Sequence, residues 1–171
     1  MVNVTTKWYI YSDRAVLEIK NCNNKETDKA DIPLDIVFCQ DTSGSMDSIV
    51  SSKDNTWHGT KLELCKETEK FVVNKLGSKR LGMVVFDSNV TELISLDTIG
   101  DKDRIIGKIN NIFPGTCTNL SGGLHTAINM FSSSNETSVK YLIVFTDGMA
   151  NEGIVTEKGL LNLVKENLPN I

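Results

Sequence analysis

The sequence contains only four cysteines and two histidines. It therefore offers few residues for disulfide bonds or for a zinc-type metal site. The four cysteines form no C-x-x-C pair. Cys39 lies in a predicted buried strand, and Cys65 lies on the apolar face of a predicted helix. We therefore expect both to be small core residues rather than disulfide partners.

The chain also lacks long apolar runs and an excess of positive charge. No run approaches the roughly 20 residues of a membrane span, and the N-terminus lacks the basic segment and apolar core of a signal peptide. These absences predict a cytoplasmic protein that contacts no membrane, with secretion as the alternative. The net charge of −4 and the pI near 5.2 argue against nucleic acid as the main partner, since nucleic-acid-binding proteins usually carry a basic face.

The length and composition fit one ordinary globular domain. The 171 residues, of which 40% are hydrophobic, suffice for one sizeable core but not for two. Two short β-rich runs within residues 8–19 flank a polar turn and predict a hairpin. We expect residues 1–31 to form this hairpin and a polar linker, and residues 32–171 to form the main domain.

The main domain alternates buried strands with amphipathic helices. A capping box, Thr60 followed by Glu63, starts the first helix, and Gly77 ends it. Strands are predicted at about 34–39, 81–86, 90–96 (short and near an edge) and 139–146. Further helices are predicted with apolar faces at Ile105, Ile106, Ile109, Ile112 and Phe113, and at Leu120, Leu124, Ala127, Ile128 and Phe131, and a last one from Thr156 to Leu168. The order predicts an α/β fold, a doubly wound and mainly parallel, Rossmann-like sheet flanked by helices on both faces.

Polar loops follow two of these strands. Asp41, Ser43 and Ser45 come after the apolar run that ends at Cys39, and Asp147 follows the run that begins at Tyr141. In open parallel sheets, ligands bind beyond the carboxyl ends of the strands. If the two strands are neighbours, their loops meet and are joined by a third polar loop, residues 116–119.

The donors in these loops are hard oxygen atoms, which indicates a metal other than zinc. Mg²⁺ fits best because it requires octahedral oxygen coordination and commonly keeps waters, and Mn²⁺ or Ca²⁺ is an alternative. A site with few carboxylates leaves the ion with a net positive charge, which favours an acidic partner. The alternative is that these are ordinary turn and cap residues.

The chain resembles the von Willebrand factor type A domain over roughly residues 33–168. The D-x-S-x-S motif appears as residues 41–45, a threonine loop as residues 115–124, and the third element as residues 144–148. The resemblance implies a metal-ion-dependent adhesion site, with no catalytic role, that recognises an Asp or Glu of a protein partner. The implied metal ligands are Asp41, Ser43, Ser45, Thr118 and Asp147, with Thr116 as an alternative to Thr118.

Two departures from the family pattern carry expectations of their own. Family domains continue past the last helix into further strands and a final helix, so we expect the C-terminal strands to be missing and further domains of the same protein to be possible partners. The segment 47–59 is longer than a minimal connection. It is expected to place Trp57 and His58 near the site, where they would contact a partner. The alternative for Trp57 is that it packs onto its own loop.

Two other functions remain open from the sequence. An Mg²⁺-dependent aspartyl phosphohydrolase would also place an Asp after a first buried strand, but such enzymes generally need a second acid two residues later, where this chain has Ser43. The third possibility is a structural fragment without a working metal site. His125 is expected to be a surface or boundary residue of its helix rather than a metal ligand.

Overall fold

The computed structural model describes residues 4–10, 15–21, 33–52, 58–135 and 137–167. The chain divides into two compact units, Met1–Ile32 and Pro33–Ile171. In the first unit, β1 (Val4–Ile10) pairs antiparallel with β2 (Ala15–Asn21). The antiparallel pair expected near the N-terminus is therefore present, with longer strands than the sequence predicted.

The second unit alternates strands with helices, as the sequence predicted. Its elements are β3 (Leu34–Asp41), β4 (Ile49–Ser51), β5 (His58–Thr60), α1 (Lys61–Lys75), β6 (Arg80–Phe86), β7 (Val90–Thr98), α2 (Lys102–Asn110), α3 (Leu120–Met130), β8 (Val139–Phe145) and α4 (Glu157–Asn167). In the described part of the chain, no helix is both long enough and apolar enough to cross a membrane.

One four-stranded sheet organises the second unit, in the order β7-β6-β3-β8. The central strand β3 runs parallel to both β6 and β8, and β7 is antiparallel to β6. Asp41 at the end of β3 lies opposite Phe86, and the preceding Gln40 lies opposite Phe145. The carboxyl ends of all three parallel strands therefore meet at one edge, and the loops that follow them are brought together.

Helices cover both faces of this sheet. Ile36 and Phe38 of β3 belong to a core shared with α1 and α2, whereas Val37 and Cys39 belong to a core shared with α3. Successive residues of a strand point to opposite faces, so one apolar strand supplies both cores. This arrangement confirms the doubly wound, mainly parallel α/β fold.

The helix boundaries follow local chemistry. Thr60 caps α1 in a complete capping box with Glu63, and Asp101 caps α2 by accepting a hydrogen bond from the Arg104 amide. The prediction that Ile112 and Phe113 belong to the apolar face of α2 is wrong, because the helix ends at Asn110. Ile112 is buried beyond the helix, and Phe113 is 73% exposed.

Two strands differ from expectation. The strand predicted to be short, β7, spans nine residues, although it does lie at an edge of the sheet. β8 was expected to be buried, but Val139, Tyr141 and Val144 are each more than a third exposed. The reason is position, because β8 forms the other edge of the described sheet and pairs only with β3 there.

Candidate functional site

The carboxylate of Asp41 lies at the centre of the polar cluster that follows β3. Its side chain is fully buried. Oδ1 accepts a hydrogen bond from the Ser43 amide at 2.8 Å, and Oδ2 accepts one from the Thr146 hydroxyl at 2.7 Å. Both donors are neutral, so these bonds orient the carboxylate without neutralising its charge.

The two serines of the motif connect Asp41 to the loop after β8. Ser43 is buried and Ser45 is exposed, and their hydroxyl oxygens are 3.1 Å apart. The turn of 3-10 helix at Gly44–Asp47 places Ser45 toward the second acid, and its hydroxyl donates to Asp147 Oδ1 at 3.0 Å. Four of the five predicted ligands therefore lie in one continuous hydrogen-bonded chain.

Asp147 also has a cationic partner. The Lys61 ammonium donates to Oδ2 at 2.7 Å, and the two side chains are 33% and 17% exposed, respectively. Partial burial alone would raise the pKa of Asp147. The hydrogen bonds from Lys61 and Ser45, together with the charge of Lys61, outweigh that effect and lower the pKa below its usual value. Asp147 is therefore ionised across the neutral pH range.

The fifth predicted ligand, Thr118, is buried in the loop before α3. Its amide donates to Asn151 Oδ1 at 2.8 Å, and its carbonyl accepts from the Asn151 amide at 3.1 Å. Two residues earlier in the same loop, the Thr116 carbonyl accepts a hydrogen bond from the Gly44 amide at 2.8 Å. Backbone contacts thus tie the threonine loop to the serine loop and to the loop that carries Asp147.

The alternative threonine is engaged elsewhere. The hydroxyl of Thr116 is exposed and lies 3.0 Å from the Ser88 hydroxyl, in the turn after β6. The contacts of Thr116 with the serine loop run through its backbone. Thr118 therefore stays the threonine predicted as a ligand.

The donor set suits a hard divalent cation. Two carboxylates and at least two hydroxyls converge, and oxygen-only sets of this kind match Mg²⁺ or Ca²⁺ rather than zinc. No group of three or more His, Cys, Asp or Glu side chains suited to a metal occurs among the described residues. Any ion held here would consequently depend on hydroxyl and water ligands as well as on Asp41 and Asp147.

Of the two residues predicted to contact a partner, the described part of the chain includes only His58. Trp57 lies outside the described residues. His58 is exposed at the start of β5, and its Nδ1 lies 2.6 Å from the hydroxyl of Ser51 on the neighbouring β4. His125 is exposed on α3 beside Asn129, which confirms its expected surface position.

Sequence reasoning missed three residues that shape the site. Thr146 holds Asp41, Lys61 pairs with Asp147, and Asn151 holds the threonine loop. Thr146 directly precedes the predicted ligand Asp147, so its position in the sequence could have indicated a role in the site. Lys61 is separated from Asp147 by 86 positions, and nothing in the local pattern indicates their contact.

Comparison with known proteins places the chain in a family. Residues 35–167 match the family model described as von Willebrand factor type A domain. No curated protein sequence matches the chain significantly.

Several solved structures share the fold. The conserved hypothetical protein BatB from Bacteroides thetaiotaomicron is 21% identical with a TM-score of 0.65, and the alignment covers 80% of this chain and 62% of that one. The PilB minor pilin from Streptococcus sanguinis is 16% identical with a TM-score of 0.59, covering 86% and 46%, respectively. The vWF domain of the type V pili tip protein Mfa5 from Porphyromonas gingivalis is 25% identical with a TM-score of 0.56, covering 70% and 39%.

The chain spans less than two thirds of the length of each of these three structures. The similarities nevertheless agree with one another in the fold they indicate, and the family model covers most of the second unit. The chain belongs to the von Willebrand factor type A domain family.

Proposed function

We propose that this domain is a binding module whose metal site recognises an acidic side chain of a protein partner. The ion, with Mg²⁺ first and Mn²⁺ or Ca²⁺ as alternatives, would be held by Asp41, Ser43, Ser45, Thr118 and Asp147. When bound, it would supply a positive centre that accepts a carboxylate oxygen from the partner. The protein's own residues would hold the ion through carboxylate and hydroxyl oxygens.

The burial of Asp41 is the observation that carries this proposal. A buried carboxylate is costly unless a cation or strong hydrogen bonds compensate it. The hydrogen bonds at Asp41 come from a backbone amide and a hydroxyl, which supply no positive charge. A divalent cation beside Asp41 would supply that charge, and the neighbouring Ser43 and Ser45 hydroxyls would contribute to its oxygen shell.

The donor set also favours binding over catalysis. An aspartyl phosphohydrolase would use a second acid where this chain has Ser43, and the Ser43 hydroxyl lies beside that of Ser45. The structural neighbours of the chain include a minor pilin and a pilus tip protein, which supports an adhesion or scaffold module without enzymatic activity. The same neighbours favour a secreted or surface location over the cytoplasmic one expected from the sequence.

Thermal unfolding with and without millimolar Mg²⁺ tests the metal site. A ligand that binds only the native state stabilises it by about 2.7 kcal/mol at a hundredfold excess over its Kd. We expect the wild-type chain to show such a rise and Asp41→Asn to lose it. Asp103→Asn, an exposed acid in the first turn of α2, is the matched control and should keep the rise. Equal rises in all three proteins would refute the assigned site.

Peptide binding tests the partner chemistry separately. A capped Gly-Asp-Gly peptide and its Gly-Asn-Gly analogue differ only in the carboxylate that the ion would accept. With Mg²⁺ present, we expect NMR shift changes near Ser45 for the Asp peptide alone, and none after the ion is chelated. Binding of both peptides, or binding that survives chelation, would contradict recognition through the ion.

A further inference from the structure

We propose that Lys61 is an internal counter-ion that competes with the divalent cation for Asp147, and so sets both metal affinity and partner affinity. This inference rests on the function proposed above and concerns a residue outside the predicted ligand set. Lys61 is the first residue of α1, and its ammonium lies 2.7 Å from Asp147 Oδ2.

The two oxygens of Asp147 have different partners. Oδ1 accepts from the Ser45 hydroxyl, which belongs to the predicted ligand set, whereas Oδ2 accepts from Lys61. The ammonium therefore supplies, from within the chain, the positive charge that a metal ion would otherwise provide to this carboxylate. An ion approaching Asp147 must share the carboxylate with Lys61 or displace it.

The position of Lys61 in its helix is a second, independent observation. The first turn of an α-helix carries a partial positive charge, so a cation there is less favourable than an acid. The neighbouring Thr60 and Glu63 satisfy the helix terminus through the capping box, and Lys61 contributes nothing to that cap. Its contact with Asp147 offsets the unfavourable position, which indicates that its role lies in the site.

The charge of the site gives the competition an unusual signature. The carboxylates of Asp41 and Asp147 and the ammonium of Lys61 together carry one net negative charge. A divalent cation changes this to one net positive charge, whereas without Lys61 the loaded site would be neutral. Lys61 should therefore weaken binding of the cation while strengthening binding of an acidic partner to the loaded site.

Mg²⁺ titration by calorimetry tests the first half of the signature. Lys61→Met should tighten Mg²⁺ binding about twofold to fivefold, which is the range that one partly exposed ion pair supports. Lys61→Arg keeps the charge and should bind Mg²⁺ about as the wild-type chain does. Lys70→Met removes the same charge from the same helix, where Lys70 pairs with Glu67 rather than with the site, and should also match the wild type.

Peptide titration at saturating Mg²⁺ tests the second half. The capped Gly-Asp-Gly peptide should bind Lys61→Met several-fold more weakly than it binds the wild-type chain, while Lys70→Met should leave this affinity unchanged. A general effect of altered net charge would instead change both variants alike and would overturn the inference. So would a Lys61→Met protein that binds Mg²⁺ no more tightly than the wild type.

Asp41→Asn separates failure of this inference from failure of the proposed function. If the wild-type chain binds Mg²⁺, Asp41→Asn does not, and Lys61→Met matches the wild type, the metal site stands and only the role of Lys61 falls. If neither the wild-type chain nor Lys61→Met binds Mg²⁺, the proposed function falls and this inference falls with it.

Discussion

Glu69 is a buried acid in the core face of α1, and its titration should dominate the pH dependence of folding. Its side chain has no exposed surface, and within the described part of the chain neither carboxyl oxygen has a hydrogen-bond partner. Burial raises the pKa from its ordinary value of 4.5 to about 8, against a smaller opposing effect of the Lys66 charge. Glu69 is therefore largely protonated in the native protein at neutral pH.

The raised pKa determines the direction and size of the effect. Between pH 4.5 and 8, the native protein holds a proton that the unfolded chain releases. The stability conferred by the neutral acid is thus fully present below about pH 4.5 and is lost as the pH rises through 8. At about 1.4 kcal/mol for each unit of pKa shift, the loss is about 5 kcal/mol. That is a large part of the 5–15 kcal/mol typical of a whole domain.

Urea unfolding between pH 5 and 8 measures this loss. The wild-type free energy of unfolding should fall steeply over that range. Glu69→Gln, which mimics the neutral acid, should remain nearly flat and should exceed the wild type in stability at pH 8. Glu67→Gln, an exposed acid on the same helix, should follow the wild-type slope. Parallel slopes for Glu69→Gln and the wild type would refute a buried, titrating Glu69.

Two further predictions concern close packing and the orientation of Asp41. A Cβ at Gly123 would lie 2.5 Å from the Phe86 ring, so Gly123→Ala should destabilise the domain by about 1–3 kcal/mol in urea unfolding. Gly107→Ala, with open space around the added methyl group, should instead stabilise the domain by about 0.5–1 kcal/mol. Thr146→Val removes the hydroxyl that donates to Asp41 Oδ2. It should lower the free energy of unfolding, measured by calorimetry, by about 1–3 kcal/mol. An unchanged free energy of unfolding would contradict that hydrogen bond.

The sequence predicted the fold where local chemistry and periodicity agree. The capping box at Thr60 and the run ending at Asp41 have strong local signals, and the structure places α1 and β3 there. The exposure of β8 was not predictable in the same way. Its composition is that of a buried strand. Its burial, however, depends on whether it has a neighbouring strand on one side or on both, and the local sequence does not indicate this.

The candidate site shows the same division between local and distant information. The serine motif predicted that Ser43 and Ser45 would share a loop. That Asp147 would reach this loop followed from the sequence only if its strand lay beside β3, and the structure pairs β8 with β3. The partner of Asp147 could not be predicted, since Lys61 lies in a different element and meets the acid only through the packing of α1 on the sheet.

A crystal structure of the domain grown with Mn²⁺, with an anomalous difference map, would test the metal site most directly. Mn²⁺ takes the same hard oxygen ligands as Mg²⁺ and is visible by its anomalous signal. We predict one peak among the loops of Asp41, Thr118 and Asp147, within about 2–2.5 Å of the Ser43 and Ser45 hydroxyls. A map without a peak there, with Asp147 still held by Lys61, would contradict a metal-binding module.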